Sequence, residues 1–191
     1  MNQTAPAPGG TRERLLAAAE QLLLVSPYDE VSVRAICAAA GANAAAAHYH
    51  FGSKEALVSA LLEDRLGPVW ADRLAAVTEG ESSVADVVDA VIEPFVTLVA
   101  DPIGQLHVRL LAQFVAGRHS GTGWQGPWFT IGTWAGLLPG VDPAEAGRRW
   151  MLAFDLIILR FGVGQELSPR SVASLRDFVL AGLTAPQGDT R

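Results

Sequence analysis

The chain has 191 residues, half of them apolar, with 14 Lys and Arg against 20 Asp and Glu, a net charge of −6. That suffices for one or two small domains with a real core, and there is no apolar run of the ~18 residues that a bilayer span needs. The single cysteine, Cys37, excludes an internal disulfide framework and a Cys-rich zinc site. The acidic balance argues against sequence-independent nucleic-acid binding without excluding a local contact surface. A cytoplasmic protein is expected.

Residues 1–10, MNQTAPAPGG, hold neither a basic nor an apolar segment and read as a disordered tail. Thr11 is a candidate cap for a first helix with Leu15, Ala18, Ala19, Leu22 and Leu23 on its apolar face. Pro27 and Asp29 end that pattern. Ser32 is the next N-cap, with Val33, Ile36 and Ala40 facing inward, and Gly41 suits the left-handed turn that stops a helix. Asn43 starts a third helix of under two turns, Ala44 to Tyr49. Gly52 ends it, and Ser53 caps a fourth running from Lys54 towards Ala76. Helix, glycine turn, helix is the helix-turn-helix pattern. Within the fourth helix, Gly67-Pro68 predicts a kink or a break.

The stretch TEGESS, residues 78–83, reads as a polar linker. Beyond it Val84, Val87, Val88, Val91, Ile92, Phe95, Leu98 and Val99 form one apolar stripe at helical spacing. Asp101-Pro102, Asp142-Pro143 and Ser168-Pro169 each place a capping oxygen before a proline at the first helical position. At Asp142 a capping box with Glu145 is expected. The helices so opened span roughly 102–117, 143–163 and 169–183. Between the first two lie a glycine-rich loop, 117–127, and a short apolar helix near 128–138. The fold class is therefore all-α.

The segment HYHFGSKEAL, residues 48–57, concentrates the chemistry. As a metal site it fails: His48 and His50 are two apart and diverge on a helix, His107 and His119 are distant, and no HExxH or CxxC occurs. No GxSxG elbow, Walker loop or dinucleotide fingerprint is present, so neither a metal nor a catalytic site is assigned. Cys37 reads as a small apolar filler.

Residues 31–58, VSVRAICAAAGANAAAAHYHFGSKEALV, resemble the DNA-binding signature of TetR-family transcriptional regulators. The match is carried by Ser32, Arg34, Gly41, Asn43, His48, Tyr49, His50, Phe51, Ser53, Lys54, Glu55 and Leu57. It implies a helix-turn-helix DNA-binding domain at 11–57, a helical effector-binding and dimerisation domain at 58–185, and a tail at 186–191. It further implies that Tyr49 and Lys54 hold the DNA backbone, with Ser32 at a helix N-terminus suited to phosphate. Arg34, Asn43, Ala44, Ala45 and His48 then lie at or near base edges. Phe51 is expected in the core, and His50 is either a structural histidine or a DNA contact. The recognition helix departs from the pattern in its four consecutive alanines, which only touch a thymine methyl or permit close approach.

Residues 150–161, WMLAFDLIILRF, are apolar around most of a helix, and Phe178, Val179 and Leu183 continue an apolar face on the last one. This predicts a homodimer through the helices at 143–163 and 169–183. Asp155 and Arg160 either pair across that interface or line a pocket. Trp124, Trp128, Phe129 and Trp134 surround the glycine-rich loop, with His107, Arg109, Gln113, Trp150 and Phe154 as partners in a candidate small-molecule pocket. An apolar or aromatic effector, with an acidic group met by Arg109, is expected there. The whole reads as a ligand-responsive repressor on a palindromic DNA operator, needing no cofactor. A small helical enzyme and a protein–protein adaptor of the same fold remain as alternatives.

Overall fold

The computed structural model describes residues 10–79, 82–117, 131–164 and 167–186. These form nine α-helices, one single-turn 3-10 helix (Tyr28–Glu30) and no strand, as expected for an all-α chain. In order they are α1 (Thr11–Val25), α2 (Val33–Ala39), α3 (Ala44–Phe51), α4 (Lys54–Glu79), α5 (Val84–Leu98), α6 (Pro102–Ala116), α7 (Ile131–Ala135), α8 (Pro143–Gly162) and α9 (Pro169–Thr184). None of the described helices is long and apolar enough to cross a membrane. The expected tails lie outside the described residues apart from Gly10 and Pro186. So do residues 80 and 81 of the expected 78–83 linker, whose first two residues belong to α4, most of the 117–127 loop and residues 128–130 of the short helix. Two compact units divide the chain, one ending at Leu61 and one beginning at Leu62.

In the first unit α1, α2 and α3 pack on one another around Leu15, Leu16, Ala19, Leu23, Ile36 and Ala47, with Leu57, Val58 and Leu61 from α4. Leu16 takes the inward place expected of Leu22, which is half-buried. Thr11 is not the cap of α1: Gly10 is, and Thr11 Oγ1 accepts instead from Arg14 Nη2 at 3.3 Å. Arg14 Nε also donates to Ala40 O at 3.3 Å, which ties α1 to the end of α2. The turn between α2 and α3 closes on Gly41 at φ +59°, and α3 ends on Gly52 at φ +76°, both in the left-handed region that favours glycine. By running on to Phe51, α3 exceeds the expected two turns.

The second unit shows the three proline-led starts as expected. Asp101 Oδ2 accepts from the amides of Ile103 and Gly104, both at 3.0 Å; Asp142 Oδ1 from Ala144 and Glu145; Ser168 Oγ from Ser171. The box at Asp142 is not completed by Glu145. Its carboxylate turns to Arg148 and Arg149, because charge-assisted bonds to two guanidinium groups outweigh one neutral amide. Arg149 in turn donates to Leu183 O at 2.9 Å and Ala185 O at 2.6 Å, closing the last carbonyls of α9. A capping box stands instead at Ser83 and Asp86, opening α5 out of the expected linker. Arg176 on α9 grips Asp89 on α5 through two bonds, 2.5 and 2.7 Å.

No break occurs in α4, which passes through Gly67 and Pro68 as one helix. Pro68 removes one backbone bond. The burial of Leu62, Leu66, Trp70 and Leu74 along one side outweighs that loss, as tertiary packing commonly does for helices. The most extensive helix pair is α6 with α8.

Candidate functional site

On the first unit, three N-caps gather the expected DNA-contacting residues. Ser32 Oγ accepts from Ala35 N at 3.1 Å, Asn43 Oδ1 from Ala46 N at 2.8 Å, and Ser53 Oγ from Ala56 N at 3.0 Å. Each cap takes the third amide of its helix and leaves the first two without intrahelical partners, with the positive end of the dipole beside them. Ala47 is the one buried residue of α3. Ser32, Arg34, Asn43, Ala44, Ala45, His48 and Tyr49 are exposed, Tyr49 by 86%. His50 is exposed as well, while Phe51 is half-buried with the Arg12 guanidinium 5.8 Å above its ring.

Two side chains are held in a defined state. His48 Nδ1 lies 3.1 Å from Gly52 O. A carbonyl only accepts, so Nδ1 carries the hydrogen and Nε2 is left for an outside partner. The Lys54 ammonium donates to Tyr28 O at 2.7 Å and sits 4.0 Å from the centre of the Tyr28 ring. One of its three hydrogens is thus committed inside the protein. Tyr28 was not singled out in the sequence, although an aromatic inside the Pro-Tyr-Asp turn is a signal. Its hydroxyl donates to Glu55 Oε1 at 3.4 Å, and burial first, then the Glu55 charge, push its pKa up to about 12. Arg34, by contrast, is exposed and has no partner among the described residues.

Within the second unit a cavity of about 190 Å³ opens between five helices. From α4 it takes Gly67, Trp70 and Leu74; from α5, Val91 and Phe95; from α6, Leu111 and Val115; from α7, Ile131 and Trp134; from α8, Phe154 and Ile158. Trp134 and Phe154 meet edge to face at 4.7 Å, and Trp150 stacks on Phe154 at 5.4 Å behind them. The Trp70 indole N–H donates to Val91 O at 3.0 Å. Of the expected pocket residues, Trp134 and Phe154 line this cavity and Trp150 packs behind them. His107 is buried elsewhere on α6, and Arg109 and Gln113 are exposed. The reason is helical phase: Leu106, Leu110 and Phe114 turn inward, so residues 109 and 113, one turn apart, share the outer side. Arg109, expected to meet an acidic group of the effector, is therefore not among the residues that line this cavity. Trp124, Trp128 and Phe129 lie outside the described residues. Sequence reasoning missed Gly67, Trp70, Leu74, Val91, Phe95, Leu111, Val115, Ile131 and Ile158, whose spacing is that of ordinary core.

On the outer side of α8 and α9, Leu152 and Phe178 are each 70% exposed, with Met151, Leu159 and Val163 also exposed. Val179 and Leu183, expected on that face with Phe178, are buried within the unit. Asp155 and Arg160 line a shallow groove there with Leu152, Leu156, Leu159 and Val163. Neither charge has a partner among the described residues.

Residues 15–61 match the family described as bacterial regulatory proteins, tetR family. No curated protein matches the chain. Among solved structures, Salmonella enterica GusR is similar at 22% identity and a TM-score of 0.55, over 94% of this chain and 97% of that one. A gamma-butyrolactone receptor (ArpA like protein) is similar at 16% identity and a TM-score of 0.47, over 91% and 94%. Residues 15–61 thus carry a match to the tetR-family helix-turn-helix, and the likeness to GusR shows a shared fold.

Proposed function

We propose that the chain is a repressor that binds a palindromic operator as a homodimer and leaves it when a small effector fills the second unit. In this reading residues 11–57 bind DNA and 58–185 bind effector and partner. The observation that carries it is the exposure of α3, eight residues of which only Ala47 is buried. Tyr49 and Lys54 hold phosphates, and Arg34, Asn43, Ala44, Ala45 and His48 face the bases, with Ser32 at the phosphate-facing start of α2. The four alanines bring the backbone of α3 close to the groove floor, so affinity per half-site is modest and shape contributes. Two copies supply the rest, joined through the apolar outer side of α8 and α9, which a lone chain leaves in water. The effector acts only through a different affinity for the two states of the protein. The helix that lends Gly67, Trp70 and Leu74 to the cavity, α4, also begins at Lys54. It is the covalent route for that difference.

Fluorescence anisotropy on the DNA flanking its own gene tests this. One phosphate neutralisation per subunit, by Lys54, predicts that log affinity of the dimer falls against log salt with a slope of roughly −2. Tyr49→Phe and Arg34→Ala each weaken binding, and Lys54→Ala makes the slope shallower by about 1 per subunit. A slope near zero, or no binding to any duplex, defeats the proposal and favours an adaptor of the same fold.

A further inference from the structure

We infer that the effector is an uncharged, flat molecule of one or two fused rings, held without any ionic contact. This rests on the ligand-responsive reading above and adds the chemistry of the ligand. The first observation is the wall: among the described residues it carries no charged side chain, and the Trp70 indole N–H is already taken by Val91 O. An unpaired carboxylate or ammonium placed there would lose its hydration with nothing in return.

The second is size. A dry apolar cavity of about 150 Å³ accepts benzene, and this one, at about 190 Å³, has room for one further fused ring. The third is shape. Trp70 and Phe95 meet at 4.9 Å, and Trp134 and Phe154 at 4.7 Å. These two aromatic pairs lie in the same wall and offer ring faces and edges to a planar guest.

The fourth observation is Gly67. It stands in the middle of α4, and a Cβ there would meet nothing within 4 Å beyond its chain neighbours. One of those neighbours is Pro68, which disfavours helical backbone before it for a residue with a Cβ. A side chain placed at 67 therefore reaches into ligand space, and its cost to the helix is local to Pro68.

The test uses three probes on one ring system at neutral pH: 2-naphthol, 2-naphthoate and (2-naphthyl)methylammonium. Binding to the full chain is measured by calorimetry without DNA. The neutral probe is expected to bind at least ~10-fold more tightly than either ion. Gly67→Ala is expected to weaken the neutral probe and Gly67→Leu to abolish its binding, each with the helical circular dichroism of the parent. The inference is overturned by an ion that binds as well as the neutral probe or better. It is also overturned by a neutral probe that does not bind, or whose affinity Gly67→Ala leaves unchanged. If 2-naphthol binds as described but leaves a preformed operator complex intact, the repressor-release reading falls and the ligand class stands.

Discussion

The contact of α6 with α8 closes on Gly162, and the structure sets the cost of any side chain there. An ideal Cβ at 162 falls 2.2 Å from Ala112 Cβ and 3.4 Å from Val108 O, where ordinary contact begins at 3.4 Å. Ala112 Cβ is fixed to its own backbone and has no rotamer to move into. Gly162→Ala therefore forces the two helices apart by about an ångström or unwinds the last turn of α8, at the cost of about 1–3 kcal/mol seen for overpacked cores. The methyl returns about 0.5–1 kcal/mol of helix propensity. The net loss is at most about 2.5 kcal/mol and about 1 kcal/mol at mid-range, which for a chain of this size lowers the melting temperature by roughly 2–4 °C.

The complementary change Ala112→Gly removes the obstructing atom. Alone it destabilises, through propensity and a small void. Combined with Gly162→Ala it restores the packing in mirror image, so the double variant is more stable than the sum of the singles by about 1–3 kcal/mol. Circular dichroism melts at one fixed protomer concentration measure all four proteins, since any dimer couples stability to concentration. A Gly162→Ala protein that melts at or above the parent would show that propensity outweighs the clash. Strict additivity in the double variant would refute the contact itself.

The unpartnered charges on the outer side of α8 give a second expectation. If the proposed homodimer pairs Asp155 with the other copy's Arg160, two-fold symmetry makes that contact twice, so Asp155→Arg and Arg160→Asp are each expected to weaken the dimer ~10-fold or more in sedimentation velocity and the double swap to restore it; singles that dimerise normally dismiss the pairing. A third concerns Tyr28, whose pKa is about 12 in the folded chain and near 10 in the unfolded one. Its proton is held more tightly when folded, so its contribution is intact below about pH 10 and is lost as pH rises towards 12. Tyr28→Phe, which keeps the ring under Lys54, flattens that alkaline limb in denaturant midpoints. Last, Ser83→Ala removes the box that opens α5 and is expected to lower the melting temperature by about 2–4 °C. It also raises the Asp86 carboxyl from its depressed value, where the Ser83 hydroxyl and then the Ser83 amide hold it. A wild-type acid limb in that variant would contradict the assignment.

What the sequence told correctly was mostly short-range. Ser32, Asn43, Ser53, Asp101, Asp142 and Ser168 were legible as caps because the bond runs from a side chain to an amide two or three residues on, and both partners stand in the same line of text. The failures were failures of competition. Thr11 has the right oxygen, but Gly10 takes the cap position and the hydroxyl goes to Arg14. Glu145 stands three residues after Asp142, and two arginines outbid the amide. Pro68 carries a breaking signal that four buried side chains on its own helix override. In each case the losing interaction was local and the winner came from a neighbouring turn or from packing.

The cavity was illegible for a different reason. Val91, Phe95, Leu111 and Ile158 have the same periodicity as Val87 and Leu106, which fill the core; what distinguishes them is the space in front of them, and space has no letter. The tryptophan cluster pointed to Trp134 and Phe154, which line the cavity, but Arg109 and Gln113 were grouped with them although their phase on α6, opposite Leu106, Leu110 and Phe114, puts them on the outer side. Helical phase is written in the sequence and composition carries no direction, so where the two conflict phase decides. Gly67 lines the cavity too, but its letter is read first as the companion of Pro68, because a residue with a Cβ is disfavoured in helical backbone before a proline.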